Sequence, residues 1–486
     1  MSFDQRRDEG ERRMRAQGGS SMTSEGGLSH VFESIRRAFA EFLTIPTGII
    51  VGFLLLAAGS YALDRGEVAA LVPVHGFLKS HVFADAQATG DLLGAIAAGI
   101  ITVTSITISL LLLAVQQAAA AMTAQVFDQY LRRRTNQIYF GFFVGLALYS
   151  LITLATVNDP FNPVFGGTLA VLLTIIALYL LILLLYTTIN QMRPVEIIEA
   201  IHDHILIARE RQLRFINKTR QSSLYEGSVS VPVSAEKHGY VTRIDLDTID
   251  AARRKVQSDF EIVLRVSVGS FVGLGDEIAE VKAQTQAHAE AIGKCVQDAV
   301  QFERQRDIAL DPAYSIEQLE MIAWTSISTA KSNPSPGLLT IRSLRDVMAR
   351  WSNDGNELSR EPSFPVVYTD NTFAQLMDAF ETFAVVSSES MQHQNFIEVV
   401  ETFRVMFDRL SPAQQQRAED LILRSLSALG DHVLTAELDA KLSGLTRTLQ
   451  ASGRAEVAAA VAAAQAQLSH SIGRLNSRAT RVAAAE

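Results

Sequence analysis

LLGAIAAGIITVTSITISLLLLAV, Leu92 to Val115, is the stretch on which the reading of the fold turns. These 24 residues carry no charge and as a helix are long enough to cross roughly 30 Å of hydrocarbon. The span is unusual in carrying five central hydroxyls: Thr102, Thr104, Ser105, Thr107 and Ser109. Thr102, Ser105 and Ser109 stand at i, i+3 and i+7 and share one helix face. Serine and threonine are tolerated in lipid because they bond back to their own backbone. Two readings of the hydroxyls follow. They form a helix–helix packing seam, where small residues let backbones approach, or they line a wetted, substrate-contacting face.

Working outward, three more apolar stretches have the same character. They are about 46–63, with Gly48 and Gly52 four apart; 138–157, with Gly141 and Gly145; and 168–189. Four transmembrane helices over 31–192 are therefore expected. The acidic segment 64–91 forms one outside loop and NDPFNPVFGG (Asn158 to Gly167) the other. Residues 1–30, rich in Gly, Ser, Arg and Glu, read as a disordered tail, with Met22 as an alternative start. VFESIRRAFAEFL (Val31 to Leu43) reads as a short amphipathic helix, lying on the membrane surface or leading into the first span. Arg132, Arg133 and Arg134 and the basic tail set against a 158–167 turn without Lys or Arg predict both termini in the cytoplasm of a bacterial inner membrane. The small-xxx-small pairs predict a homo-oligomer in the bilayer.

Composition fits a membrane protein with a large soluble part: 486 residues, 48% hydrophobic and 20% charged. A net charge of -9 argues against a nucleic-acid binder. Cys295 is the only cysteine, which excludes an internal disulfide or a cysteine metal cage.

Residues 193–227 read as a connecting helix. It holds Glu199 and His202 at the i, i+3 spacing of a carboxylate–imidazole metal pair. Such centres need several converging helices, and no partners are found, so a solvated helix face is expected and no metal or cofactor. From 228 to 284 the period changes. VSVPVSAEKHGYVTRIDLD and FEIVLRVSVGSFVGLGDEIAEV read as β-rich segments with glycine turns, separated by a short helix. This small module resembles the barrel-sandwich hybrid fold of biotinyl and lipoyl domains. Lys255 lies in the helical insert rather than in a tight hairpin, so a packing or assembly role is expected instead of a swinging-arm carrier. Residues 285–445 then read as a helical domain and 446–486 as an alanine-rich tail. The fold class is thus mainly α, a four-helix transmembrane region plus a cytoplasmic domain with a small β module and a helical bundle.

Four features occurring in order carry a family resemblance. They are the Ser/Thr-rich second span running into Gln116, LRRRTNQ before a glycine-rich third span, HGYVTRIDLD with the later VGSFVGLGDEI, and RQRDIALDPAYSIEQLEMIAWTSIS followed by Asn333-Pro334. The chain resembles the bacterial predicted membrane proteins of domain-of-unknown-function family 2254. That resemblance implies a membrane location and a shared fold without an established activity. Where the family pattern reads S-P-A-x-N-D-P, this chain has Ser328-Thr329-Ala330-Lys331-Ser332-Asn333-Pro334, without the acidic residue.

No phosphate-binding loop, dinucleotide glycine motif, H-E-x-x-H or nucleophile elbow occurs, and no enzyme is expected. The best soluble polar constellation is Arg304, Arg306, Asp307, Asp311 and Glu317, with Asn333 in the proline-bounded loop. It reads either as a small-molecule pocket or as a helix start at Asp311-Pro312 with surface arginines. Two functions remain open. Hydroxyl-bearing second spans line a passive pathway gated by the cytoplasmic domain, or the spans anchor a binding or scaffold domain whose soluble partner or ligand is unknown.

Overall fold

A computed structural model describes residues 43–66, 72–81, 83, 85–121, 133–225, 229–256, 259–328, 333–352, 364–429 and 432–471. The tail, all but Leu43 of the helix expected over 31–43, Arg132, Thr329 to Ser332, and the end of the alanine-rich segment lie outside the described residues. The chain divides into two compact units, Met1–Gln117 with Val126–Gln191, and Ala118–Gln125 with Met192–Glu486.

The first unit is helical: α1 (Thr44–Arg65), α2 (Val72–His81), α3 (Ala86–Ala121), α4 (Arg134–Thr156) and α5 (Val164–Gln191). All but α2 are long and apolar enough to cross a membrane. α2 falls in the segment read as a loop; its ten residues include two histidines and a lysine, and hydropathy gives it no signal. Large apolar side chains stay exposed along α5, Tyr179, Ile182 and Ile189 each at 65–70%. A helix apolar all round with so little cover is made for lipid contact.

α1 and α4 come closest, and glycine is the reason. A Cβ on Gly141 would stand 2.8 Å from Pro46 Cα, and one on Gly145 2.4 Å from the Phe53 ring. The Gly141/Gly145 pair is thus an internal seam. Gly48 and Gly52 on α1 meet no atom within 4 Å and face away from it. Polar bonds close the end of this bundle. Asp64 accepts the N–H groups of Phe165 (2.8 Å) and Gly166 (3.0 Å) in the first turn of α5, where a carboxylate meets the helix's positive pole. Tyr149, fully buried, donates to the Gly166 carbonyl (3.1 Å).

The second unit opens with α6 (Pro194–Ile216), started by proline at its first position. Ile197, Ile198, Ile201, Ile205 and Ala208 form its buried stripe. The β module follows: β1 (Val229–Ser234), β2 (Gly239–Ile244), α7 (Leu246–Val256), β3 (Phe260–Leu264), β4 (Phe271–Val272), β5 (Glu277–Ala283), α8 (Gln286–Ala299) and β6 (Val300–Glu303). Its strands, joined by β7 (Val366–Val367), make two sheets, β1-β5-β3-β7 and β4-β2-β6. β7 arrives from far along the chain and pairs parallel to β3. Both sheets and α8 feed one core that includes Val241, Ile262, Ile278, Val281 and Ile292. β6, β7 and α8 thus complete a module whose sequence signal spans only 228–284.

Helices make up the remainder: α9 (Pro312–Ile327), α10 (Ser335–Trp351), α11 (Thr372–Glu389), α12 (His393–Met406), α13 (Pro412–Leu429), α14 (Ala436–Ala451) and α15 (Ala455–Ser471). Phe380, Phe383, Phe403 and Met406 fill their interior, so the Met and Phe stripes are core. The molecule is mainly α, with four candidate membrane helices followed by a helical region holding small mixed sheets.

Candidate functional site

Helical geometry divides the five hydroxyls of α3 into two sets. Leu93, Ala97, Ile100, Thr104, Thr107 and Leu111 advance by steps of four and three, the spacing of a helix-packing seam. Five of them are buried and Thr104 half-buried. Thr102, Ser105 and Ser109 lie on the far side of the helix, at about 100° per residue, and are exposed. Thr102 donates to the Ala98 carbonyl (2.8 Å) and Ser109 to the Ser105 carbonyl (2.9 Å). The outward hydroxyls of Thr102 and Ser109 are therefore satisfied within α3 and remain free to accept from a further partner.

On the seam side an apolar cavity of about 330 Å³ lies between α3, α4 and α5. Ile96, Gly99, Val103, Thr104, Thr174 and Leu178 are among its walls. Thr174 donates to the Ala170 carbonyl (2.7 Å), which leaves the Thr104 hydroxyl as the polar feature on the α3 wall. No Asp, Glu, Lys, Arg or His occurs within 44–63, 92–115, 135–157 or 164–191.

In the second unit three of the predicted polar residues meet. Arg306 donates to Asp311 (2.7 Å) and to Glu317 (2.5 Å), and its guanidinium lies 4.7 Å from the centre of the Tyr314 ring. Asp311 is 1% exposed and caps α9 by accepting from the Tyr314 N–H (3.1 Å). Burial pushes its carboxyl above the ordinary range against the pull of Arg306. A glycine fixes the neighbouring turn. Gly269 has φ +93°, and a Cβ there would stand 2.2 Å from Asp311 Oδ2. The cluster is thus a clamp between a β-module turn and the start of α9. Asp307 accepts from the Ala309 N–H (2.9 Å) and Asn333 from the Ser335 N–H (3.1 Å), each in its own turn. Arg304 is exposed.

His202 pairs with Asp346 of α10 (2.9 Å), which also binds Arg350 (2.7 Å). Against its own burial, these two partners hold the Asp346 carboxyl below its usual range. Among the described residues no three His, Cys, Asp or Glu side chains group as metal ligands. Several polar clusters join residues too distant in sequence to announce themselves. Arg209, 6% exposed, binds Asp370 (2.7 Å) and lies 5.0 Å over Trp351. Glu261, fully buried, accepts from Ser223, from the Leu224 N–H (3.0 Å) and from Arg220 (3.2 Å). Burial opposes its charge, and those bonds still hold its carboxyl below the ordinary range. His393 and His432 share an Nδ1–Nδ1 hydrogen bond (2.7 Å). Burial, and then His393, push His432 down to about 3.

A family model described as predicted membrane protein (DUF2254) matches residues 40–397. No curated protein matches the chain, and no solved structure does.

Proposed function

The chain belongs to the DUF2254 family of predicted membrane proteins, and from that premise we propose that it forms a passive pathway for ions or small solutes. In this reading like copies associate in a bacterial inner membrane so that the Thr102, Ser105 and Ser109 faces of α3 line a shared passage. One observation carries the reading: these hydroxyls stand opposite the seam that holds α3 in its own unit, exposed on an otherwise apolar helix. The open Gly48/Gly52 face of α1 supports close approach of a second copy. Spans without ionisable residues support passive passage over pumping, because pumps usually carry intramembrane acids or bases. Arg133, Arg134 and Arg193 flank the spans on the side opposite the 158–167 turn, which holds no Lys or Arg, and this supports cytoplasmic termini and a cytoplasmic second unit that regulates passage. The protein then acts without catalysis and without a cofactor.

A second reading, a membrane anchor for a binding or scaffold domain, is supported by the backbone bonds of Thr102 and Ser109, which let both hydroxyls sit in dry lipid. Thiol labelling separates the two. In a Cys295→Ala background, Ser105→Cys and Ser109→Cys should react with a small hydrophilic methanethiosulfonate in proteoliposomes, and Thr107→Cys on the seam should not. Protection of all three, with a thiol at Asn158 reacting, would leave the anchor.

A further inference from the structure

Two helices of the second unit bring their positive poles together at a place that the pathway reading does not use. α10 and α12 run parallel. Arg342 and Arg345 of α10 bind Glu398 of α12 (3.1 and 2.7 Å), while at the helix starts Asn395 Oδ1 lies 3.0 Å from where a Cβ on Gly337 would sit. Each helix carries about half a positive charge at its N-terminus, and side by side these add. Helix starts are commonly offset by an acidic first turn or a capping side chain. Here neither first turn holds an acid, and neither Pro334 nor Gln392 makes a side-chain cap. Among the described residues the N–H groups of Gly337, His393 and Gln394 make no hydrogen bond. The nearest acid on these helices, Glu398, is held by its two arginines.

Between the two starts sits an unpaired amide. Asn395 is 0% exposed, and neither its Oδ1 nor its Nδ2 has a partner. Thr340, one turn along α10 from Gly337, is equally buried with an unpartnered hydroxyl. Leaving a buried amide unpaired costs its full desolvation, so the site has reason to take a ligand that answers it. Asn333, Ser335 and Gln394, at the ends of the same two helices, are exposed. Free N–H groups, summed helix poles and a neutral amide donor together suit an oxyanion. We infer that the paired N-termini of α10 and α12, with Asn395 between them, bind a phosphate-class oxyanion, either free phosphate or the phosphomonoester head of a lipid.

The test uses the full chain, with unfolding followed by the fluorescence of Trp324 and Trp351, its only two tryptophans and both in the second unit. In detergent, inorganic phosphate near ten times its Kd should raise Tm by about 2 °C or more over chloride at equal ionic strength. Asn395→Leu should lose that rise while keeping or increasing its own Tm. Ser335→Glu, which places a carboxylate in the first turn of α10, should raise the resting Tm and cancel the phosphate response, and it carries the test if the leucine variant fails to fold. A rise with inorganic phosphate assigns a free oxyanion. A rise confined to nanodiscs with phosphatidic acid, against phosphatidylcholine alone, assigns a lipid head. No rise in either arm, or an equal rise in both variants, overturns the proposal.

Discussion

Arg306→Ala removes the cation that faces a buried carboxylate. Asp311 keeps its cap to the Tyr314 N–H but loses the 2.7 Å guanidinium bond, and Tyr314 loses the cation over its ring. Removing one partner of a buried pair costs about 3–5 kcal/mol, because the remaining charge stays desolvated. The cost here falls toward the lower figure, about 3 kcal/mol, since Asp311 has the further option of taking up a proton. Its carboxyl is already raised in the folded protein by burial. A carboxyl raised above its unfolded value binds its proton more tightly when folded, so its contribution favours the folded state at low pH and is lost as pH rises. Without Arg306 the raise grows. The deficit should therefore be largest at pH 8 and shrink toward pH 5. Adding Asp311→Asn keeps a good cap, removes the buried charge, and should recover about half of the loss together with its pH dependence. Denaturant unfolding of the full chain, read by Trp324 and Trp351, compares the wild type with both variants. A deficit below about 0.5 kcal/mol at both pH values, or one that is pH-independent and untouched by Asp311→Asn, would refute the clamp.

Two further outcomes follow from the packing. Gly145→Val should destabilise the first unit by about 1–3 kcal/mol through overpacking against Phe53, whereas Gly48→Val, which meets open space, should leave the thermal unfolding of the monomer in detergent unchanged. His432 is pushed down to about 3 and stays neutral when folded, so its unfolded form takes a proton first as pH falls below about 6.5. The wild type should lose roughly 2 kcal/mol between pH 7 and pH 5 from this group, and His432→Leu should flatten that slope in an unfolding series.

The membrane helices were legible because hydropathy is a local property: long uncharged runs declare themselves at about 46–63, 92–115, 138–157 and 168–189. The shared face of Thr102, Ser105 and Ser109 was legible from helical spacing alone. That Thr104 and Thr107 belong to the opposite seam emerges only once Leu93, Ala97, Ile100 and Leu111 are seen buried with them. α2 is too short and mixed in composition to register. β7 pairs with β3 across about a hundred residues, and no local pattern in two valines reports a partner so distant. Arg306, Asp311 and Glu317 lie within one helix start, so their grouping could be read from spacing. Arg209 with Asp370, and His393 with His432, meet only through tertiary packing. Asn395 reads as an ordinary polar residue in a helical stretch; its meaning comes from zero exposure and absent partners.

Ion and small-solute flux through proteoliposomes tests the central claim most directly, comparing wild type with Thr102→Val, Ser105→Ala and Ser109→Ala combined. The pathway account predicts flux through the wild type and an altered rate in the triple variant at equal protein incorporation. No flux from well-folded wild-type protein, or identical flux from both, would contradict it.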